Sequence, residues 1–444
     1  MPAAVLHYPR GEDWDFLRHV GLRWARQLFL VSPQSVLFGL RNPHPRLIPD
    51  AEFVRILTRT TIARQLVSRF DEDDDRAFRP WLDRTGGHGL HKFDCSMLDG
   101  FRTLPGLHTA GTVTLLSQDS DGSWRALAIR IGALVLEPGD GDAWRLAKLF
   151  VLHGAAQHTI FCRHVPWHFP YDTVNAVTKT SVPTDHLLYR LLDRHFRFSL
   201  ALSNAALHSE LSVAHNYQHL AYSAFAFDNE AQFRMAAIGY KGISGNSAYA
   251  AYRFPLECPP MAGEFGVFQK LYWEVIQRFV SAAIVEIPAD DPVVVSWSAH
   301  VARWIPGFPD GVRIQEPGVL AATLTSIIWD VTVGHASDHY SLGLEDLRAL
   351  PVRMRVPPPT SKDVRGVHPA LMTNWRDMAR YHLMWEMFIK ESTVTRLVDM
   401  EYRFDSDPPR RAADRFADEL RRLDANLPVH RFIPVDRISA SIQF

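Results

Sequence analysis

Apolar and polar positions change period along the chain. From Gly111 to Ile131 the order is TVTLL, then the turn-forming residues Asp119 to Ser123, then WRALAIRI, which predicts a β-hairpin. Beyond Gly141 the pattern becomes helical. Ala143 to Cys162 is a long apolar segment with few breakers, and Phe268, Leu271, Tyr272, Val275, Ile276, Phe279 and Val280 follow the i, i+3, i+4, i+7 rule. Leu320 to Val333 is apolar on nearly all sides, as a helix at the centre of a large core would be. Arg353 to Lys362 contains three consecutive prolines and is expected to be an extended surface connection. The acidic run Asp71 to Asp75 reads as a solvated loop. No internal repeat and no composition shift marks a linker. The expectation is a mainly α protein, one large helical domain over 1–444. Residues 1–141 form an N-terminal portion with the small β element, and 142–444 form the helical core.

Composition narrows the function classes. With 48 Lys+Arg against 49 Asp+Glu the formal charge is −1, so there is no basic footprint for nucleic acid. No stretch reaches 18 uninterrupted apolar residues, so no integral membrane segment is expected. The first residues, MPAAVLHYPRGEDWDF, carry charge and proline where a signal peptide needs an apolar core. Cys95, Cys162 and Cys258 are too widely spaced for a disulfide framework or a zinc knuckle. A cytoplasmic protein is the default expectation.

The chain has 21 histidines, enough for about one H-x3-H pair by random placement. It has three: His164/His168, His215/His219 and His335/His339. Side chains four apart share a helical face, so two imidazoles can reach one ion. A histidine pair without metal is the competing reading for any one of them. His335 stands at the end of the apolar helix TLTSIIWDVTVG and continues as HASDH, while His164 and His168 follow the long apolar segment; His215/His219 has less apolar surroundings and ranks as a decoy. Two pairs on central helices supply four neutral nitrogen ligands, a thiolate-free set that suits iron, manganese or copper better than structural zinc.

With these residues in view the chain resembles a lipoxygenase. AWRLAKLFV resembles the family's W-x-x-A-K segment leading into the first metal-ligand helix, and DHLLYRLLDRHF, with His186, resembles its HPxxxLLxPH stretch. GHASDH resembles the third and fourth ligand motif. GLRNPHP, SWRALAIRI and MRVPPPTSK match further segments, and the terminal Ala-Ser-Ile-Gln-Phe resembles the family's Asn-Ser-Ile-Ser-Ile, whose last carboxylate binds iron. The resemblance implies a non-haem iron dioxygenase, with manganese as the alternative metal. Such an enzyme takes a hydrogen from an unsaturated acyl chain and adds dioxygen to give a hydroperoxide. The implied partners are an unsaturated fatty acid or other acyl small molecule, and dioxygen. The implied ligands are His164, His168, His335, His339 and the terminal carboxylate of Phe444.

Several positions depart from the family pattern. The first pair is spaced H-x3-H rather than the commoner H-x4-H, and Pro166 between the two must kink the segment or start a new one. Ile160 and Leu342 stand where the family has polar residues near the metal, and Asp172 replaces a glutamate. Phe444 replaces isoleucine. On this resemblance the 444 residues are expected to hold a trimmed catalytic domain without the family's N-terminal lipid-binding barrel. Two other readings follow from these differences: oxidative tailoring of a smaller substrate, and a metal-free lipid-binding pseudoenzyme. Trp144, Trp167 and Cys162 read as packing residues.

Overall fold

The computed structural model describes residues 12–26, 32–209, 212, 223–389, 394–427 and 433–443. Its sheet is antiparallel, and its strands pair in chain order: β1 (Leu66–Val67), β2 (Leu90–Asp94), β3 (Thr112–Gln118), β4 (Trp124–Ile131) and β5 (Leu134–Leu136). The hairpin expected at 111–131 is β3–β4, registered from Thr112↔Ile131 to Gln118↔Trp124 with an irregularity between Leu115 and Leu116. Gly122 closes its turn at φ 82°, a left-handed conformation that glycine adopts without a Cβ clash. Alternation gives the sheet two apolar faces. Leu116 and Ile129 join the main core, while Val113, Leu115 and Ala128 pack against Phe78 of the Glu72–Thr85 helix.

That helix corrects the expectation for the acidic run. Asp71 to Asp75 is no solvated loop: Asp71 precedes the helix, and the buried Asp74 lies in its first turn. The cause is Lys92 on β2, which is fully buried and donates to Asp71 at 2.7 Å and to Asp74; Arg130 reaches the other oxygen of Asp74 at 2.9 Å. An ammonium removed from water requires such partners. The proline-rich connection is extended as expected, but its start is internal rather than superficial. Arg353 is buried and donates to the carbonyls of Ser223 (2.6 Å) and Ala224 (3.0 Å), and Met354 pairs with His108.

Two helical segments run through the interior. The Gly141–His158 helix is buried on every side from Ala143 onward except at Arg145, so no polar face is needed. It widens at Thr159–Arg163 into a π-helical turn. The Val319–Trp329 helix likewise widens at Asp330–Gly334 and continues as His335–Leu344, so His335 lies inside a helical run and does not close it. Val319–Leu342 is long and apolar enough by composition to cross a bilayer, yet its apolar window is 78% buried inside the protein. It is a core helix. One apolar cluster extends from Ile48 to Met387 and therefore joins the sheet-bearing portion to the helical one.

Candidate metal centre

Four imidazoles meet where the two widened helices face each other. His335 and His339 come from successive turns of one α-helix, with ring centroids 4.6 Å apart. His164 and His168 reach the same point differently. The π turn ends at Arg163, Val165–Trp167 forms a tight 3-10 turn, and Pro166 starts the new direction before the Phe169–Ser181 helix. The break expected at Pro166 is present, and the two histidines do not share one α-helix. Their rings nevertheless stand 4.8 Å apart. Across the pairs, ring centroids lie 4.9 Å (His164–His335), 4.7 Å (His164–His339) and 5.0 Å (His168–His335) apart.

The nitrogens converge as the rings do. His164 Nε2 is 2.9 Å from His168 Nε2 and 3.1 Å from His339 Nε2. Donor atoms of His164, His168 and His335 all lie within 4.8 Å of one another. His164 Nδ1 stands 2.9 Å from Asp338 Oδ2; a carboxylate accepts, so the ring donates through Nδ1–H and Nε2 carries the lone pair. Burial, reinforced by His164, holds His168 well below the ordinary imidazole range, and burial with the three neighbouring rings does the same to His335. A neutral ring can donate one N–H to the His164 Nε2 lone pair, but when all the facing nitrogens present lone pairs they repel unless a cation lies among them, and an added proton is disfavoured by burial. Ligands held about 2.1 Å from an ion at right angles are about 3 Å apart, the separation found around His164. The donor set fits a metal ion.

Asp338 organises the surroundings. It lies between His335 and His339 in the chain, and besides His164 it accepts from Arg64 at 2.7 Å, from Trp167 Nε1 at 3.0 Å and from the Thr61 hydroxyl. Burial alone would raise its carboxyl, but Arg64, His164 and Thr61 outweigh that and hold it below the usual carboxylate value. Trp167, expected only to pack, thus fixes the acid that orients a ring. Neither Asp338 nor Arg64 was singled out from the sequence. The available signal was an acid inside HASDH, one helical turn from His335. A second strut joins the two halves: Tyr171 donates to Asp330, whose carboxyl burial pushes well up.

Other expected residues fall into place or lie elsewhere. Ile160 and Leu342 line a cavity of about 500 Å³ that opens from His164, His168 and His339, and its remaining wall is mostly apolar. Burial, partly offset by Ser203, pushes Asp172 well up. Trp144 donates to Asp50 at 2.9 Å. Burial pushes the Cys162 thiol up to about 11, consistent with a core thiol. His186 caps the Leu187–Leu192 helix, and His195 at the end of the same motif donates through Nδ1 to the Ala440 carbonyl at 2.8 Å and accepts at Nε2 from the Tyr402 hydroxyl at 2.8 Å. Phe444 and the pair His215/His219 lie outside the described residues. The segment leading to Phe444 is buried from Ile438 to Gln443, and Gln443 lines the cavity.

No protein-family profile matches the chain. Curated relatives do. The chain is 25% identical over 390 residues to the epidermal-type polyunsaturated fatty acid (12S)/(13S)-lipoxygenase of Rattus norvegicus, an alignment covering 77% of this chain and 55% of the relative. Among solved structures, coral 8R-lipoxygenase superposes with a TM-score of 0.76 at 16% identity, over 98% of this chain and 75% of that one. The manganese lipoxygenase of Gaeumannomyces graminis superposes with a TM-score of 0.67 at 16% identity, over 94% and 84%. The fold is that of a lipoxygenase catalytic domain. The sequence relatives and the solved structures that the chain resembles are lipoxygenases. It spans about half the length of the curated relatives it matches.

Proposed function

We propose that the chain is a lipoxygenase-type dioxygenase acting on an unsaturated acyl chain, with a fatty acid as the first candidate. The observation that carries this reading is four converging imidazoles at one end of a cavity of about 500 Å³. His164, His168, His335 and His339 would hold the ion, iron or manganese. The terminal carboxylate of Phe444 is the oxygen donor assigned to it, a choice supported by the buried run Ile438–Gln443. Bound there, the ion supplies one-electron chemistry that couples dioxygen to an activated C–H bond.

The protein's own contribution is positional. Burial keeps His168 and His335 neutral, so their lone pairs remain available near pH 7. Asp338 keeps the proton of His164 on Nδ1 and aims Nε2 at the cluster. The apolar wall, including Ile160 and Leu342, excludes water and holds an acyl chain beside the imidazoles.

Metal content by plasma mass spectrometry, together with oxygen uptake on linoleate and arachidonate, tests the reading. About one equivalent of iron or manganese with oxygen consumption is expected. Metal without uptake on either acid would replace it with oxidative tailoring of another substrate. Acyl binding by a protein that takes up no metal after anaerobic loading would replace it with a lipid-binding role.

A further inference from the structure

Besides the imidazoles and Asp338, the cavity is lined by Thr159, several serines, Gln443 and Gln232, and of these Gln232 carries an amide that no part of the metal centre explains. The Asn229–Lys241 helix forms one wall. Its C-terminal end is fixed beside the first histidine pair, where the Tyr240 hydroxyl donates to the Val165 carbonyl at 2.8 Å. Gly239 lies so near Cys162 that a Cβ would meet its carbonyl oxygen at 2.2 Å. Gln232 is eight residues before Tyr240 (240 − 232), which puts it about 12 Å further along the helix axis. It lines the cavity and is 2% exposed, and neither its Nε2 nor its Oε1 has a hydrogen-bond partner among the described residues. Leaving both halves of an amide unpaired in an apolar wall is costly, and a leucine would pack there without that cost.

Two further facts define what the amide fits. Among the described residues lining the cavity there is no lysine or arginine, so an ionised carboxylate would enter without a cation. Gln232 offers a donor and an acceptor together, and a neutral group that both accepts and donates matches it. A hydroxyl does so, and so does a protonated carboxyl.

We infer that Gln232 is a polar recognition point of the cavity, holding a neutral hydroxyl or protonated carboxyl of the acyl ligand at a distance from the imidazoles. This rests on reading the cavity as an acyl-chain site. The contact sets which stretch of the chain lies beside the histidines, so Gln232 determines specificity and takes no part in the chemistry itself.

Binding of 1-decanol, decanoic acid and decane to the purified protein, measured by calorimetry, provides the test. The variants are Gln232→Met, close in shape, and Gln232→Leu. Decanol is expected to bind the wild type about ten-fold tighter than the variants, with decane unchanged. Decane affinity and Tm report whether each variant is folded. Decanoic acid should follow decanol only at pH values that protonate its carboxyl; if its Gln232 dependence instead persists with the carboxyl ionised, the neutral-group assignment falls. Equal losses for decane and decanol would mean a packing role and overturn the inference. So would decanol affinity that ignores both substitutions. If the wild type binds none of the three ligands, the acyl-site reading falls as well; binding without Gln232 dependence removes this inference alone.

Discussion

His335 and His339 ride one continuous helical run, whereas His164 and His168 straddle a break made of a wide turn, a tight turn and Pro166. Both pairs are spaced H-x3-H, and their ring centroids end 4.6 Å and 4.8 Å apart. One ring separation is thus built in two ways. An α-helix delivers the i, i+4 pair by its own geometry. The broken segment has no such geometry, and packing places its rings: Asp338 bonds His164 and Trp167, Tyr240 holds Val165, and Gly239 lets a helix approach Cys162. The first pair should therefore be sensitive to substitutions that touch no ligand, and the second should not.

The largest effect, and the first check on the comparison, is loss of a ring from either side. His164→Ala and His335→Ala should each bring metal content from about one equivalent to background by plasma mass spectrometry. A variant retaining full metal would remove that histidine from the site. Next is Asp338→Asn, which should weaken metal binding about 10- to 100-fold by releasing His164. It also leaves the buried Arg64 without its anion, so stability should fall by about 3–5 kcal/mol in chemical denaturation. Retained metal affinity in that variant would mean that the ring is held by packing alone.

Acid should act on the buried histidines outside the centre. His195, which bonds the segment leading to the C-terminus, and His153 are both held at about 4 by burial against an ordinary 6.5. The unfolded chain takes up these protons first, so the stability they represent is complete above pH 6.5 and is lost as pH falls from 6.5 towards 4. The loss should reach about 3 kcal/mol for each ring, measured by denaturation across that range. A flat profile would show that these rings titrate normally. Smallest is the glycine contrast. Gly239→Ala drives a Cβ into the Cys162 backbone and should cost about 1–3 kcal/mol with reduced metal affinity. Gly334→Ala, beside His335, meets only indole edges at 3.2–3.3 Å and should cost less, with metal retained. Equal metal loss in both would erase the distinction between the pairs.

Much of the site was legible because its determinants are local. The apolar runs before each pair, the four histidines and the polar-to-apolar exchange at Ile160 and Leu342 are all visible in one dimension. The role of the acidic run was not, because Asp71 and Asp74 answer to Lys92 on a strand that nothing local connects to them. Asp338 was in view and unread. A carboxylate between two histidines looks like ordinary helix surface until Arg64, Thr61 and Trp167 from other segments surround it.

Sequence by itself determined the periodicities, and with them the hairpin, the central helices and the supply of neutral imidazole nitrogens, since these follow from residue type and spacing along one segment. Tertiary structure decided how the broken pair meets the continuous one, which acid orients His164, and which amide faces the cavity unpaired. Those depend on distances between residues such as His164 and Asp338, 174 positions apart, and burial reverses the cost of a polar group only once the surrounding segments have closed over it.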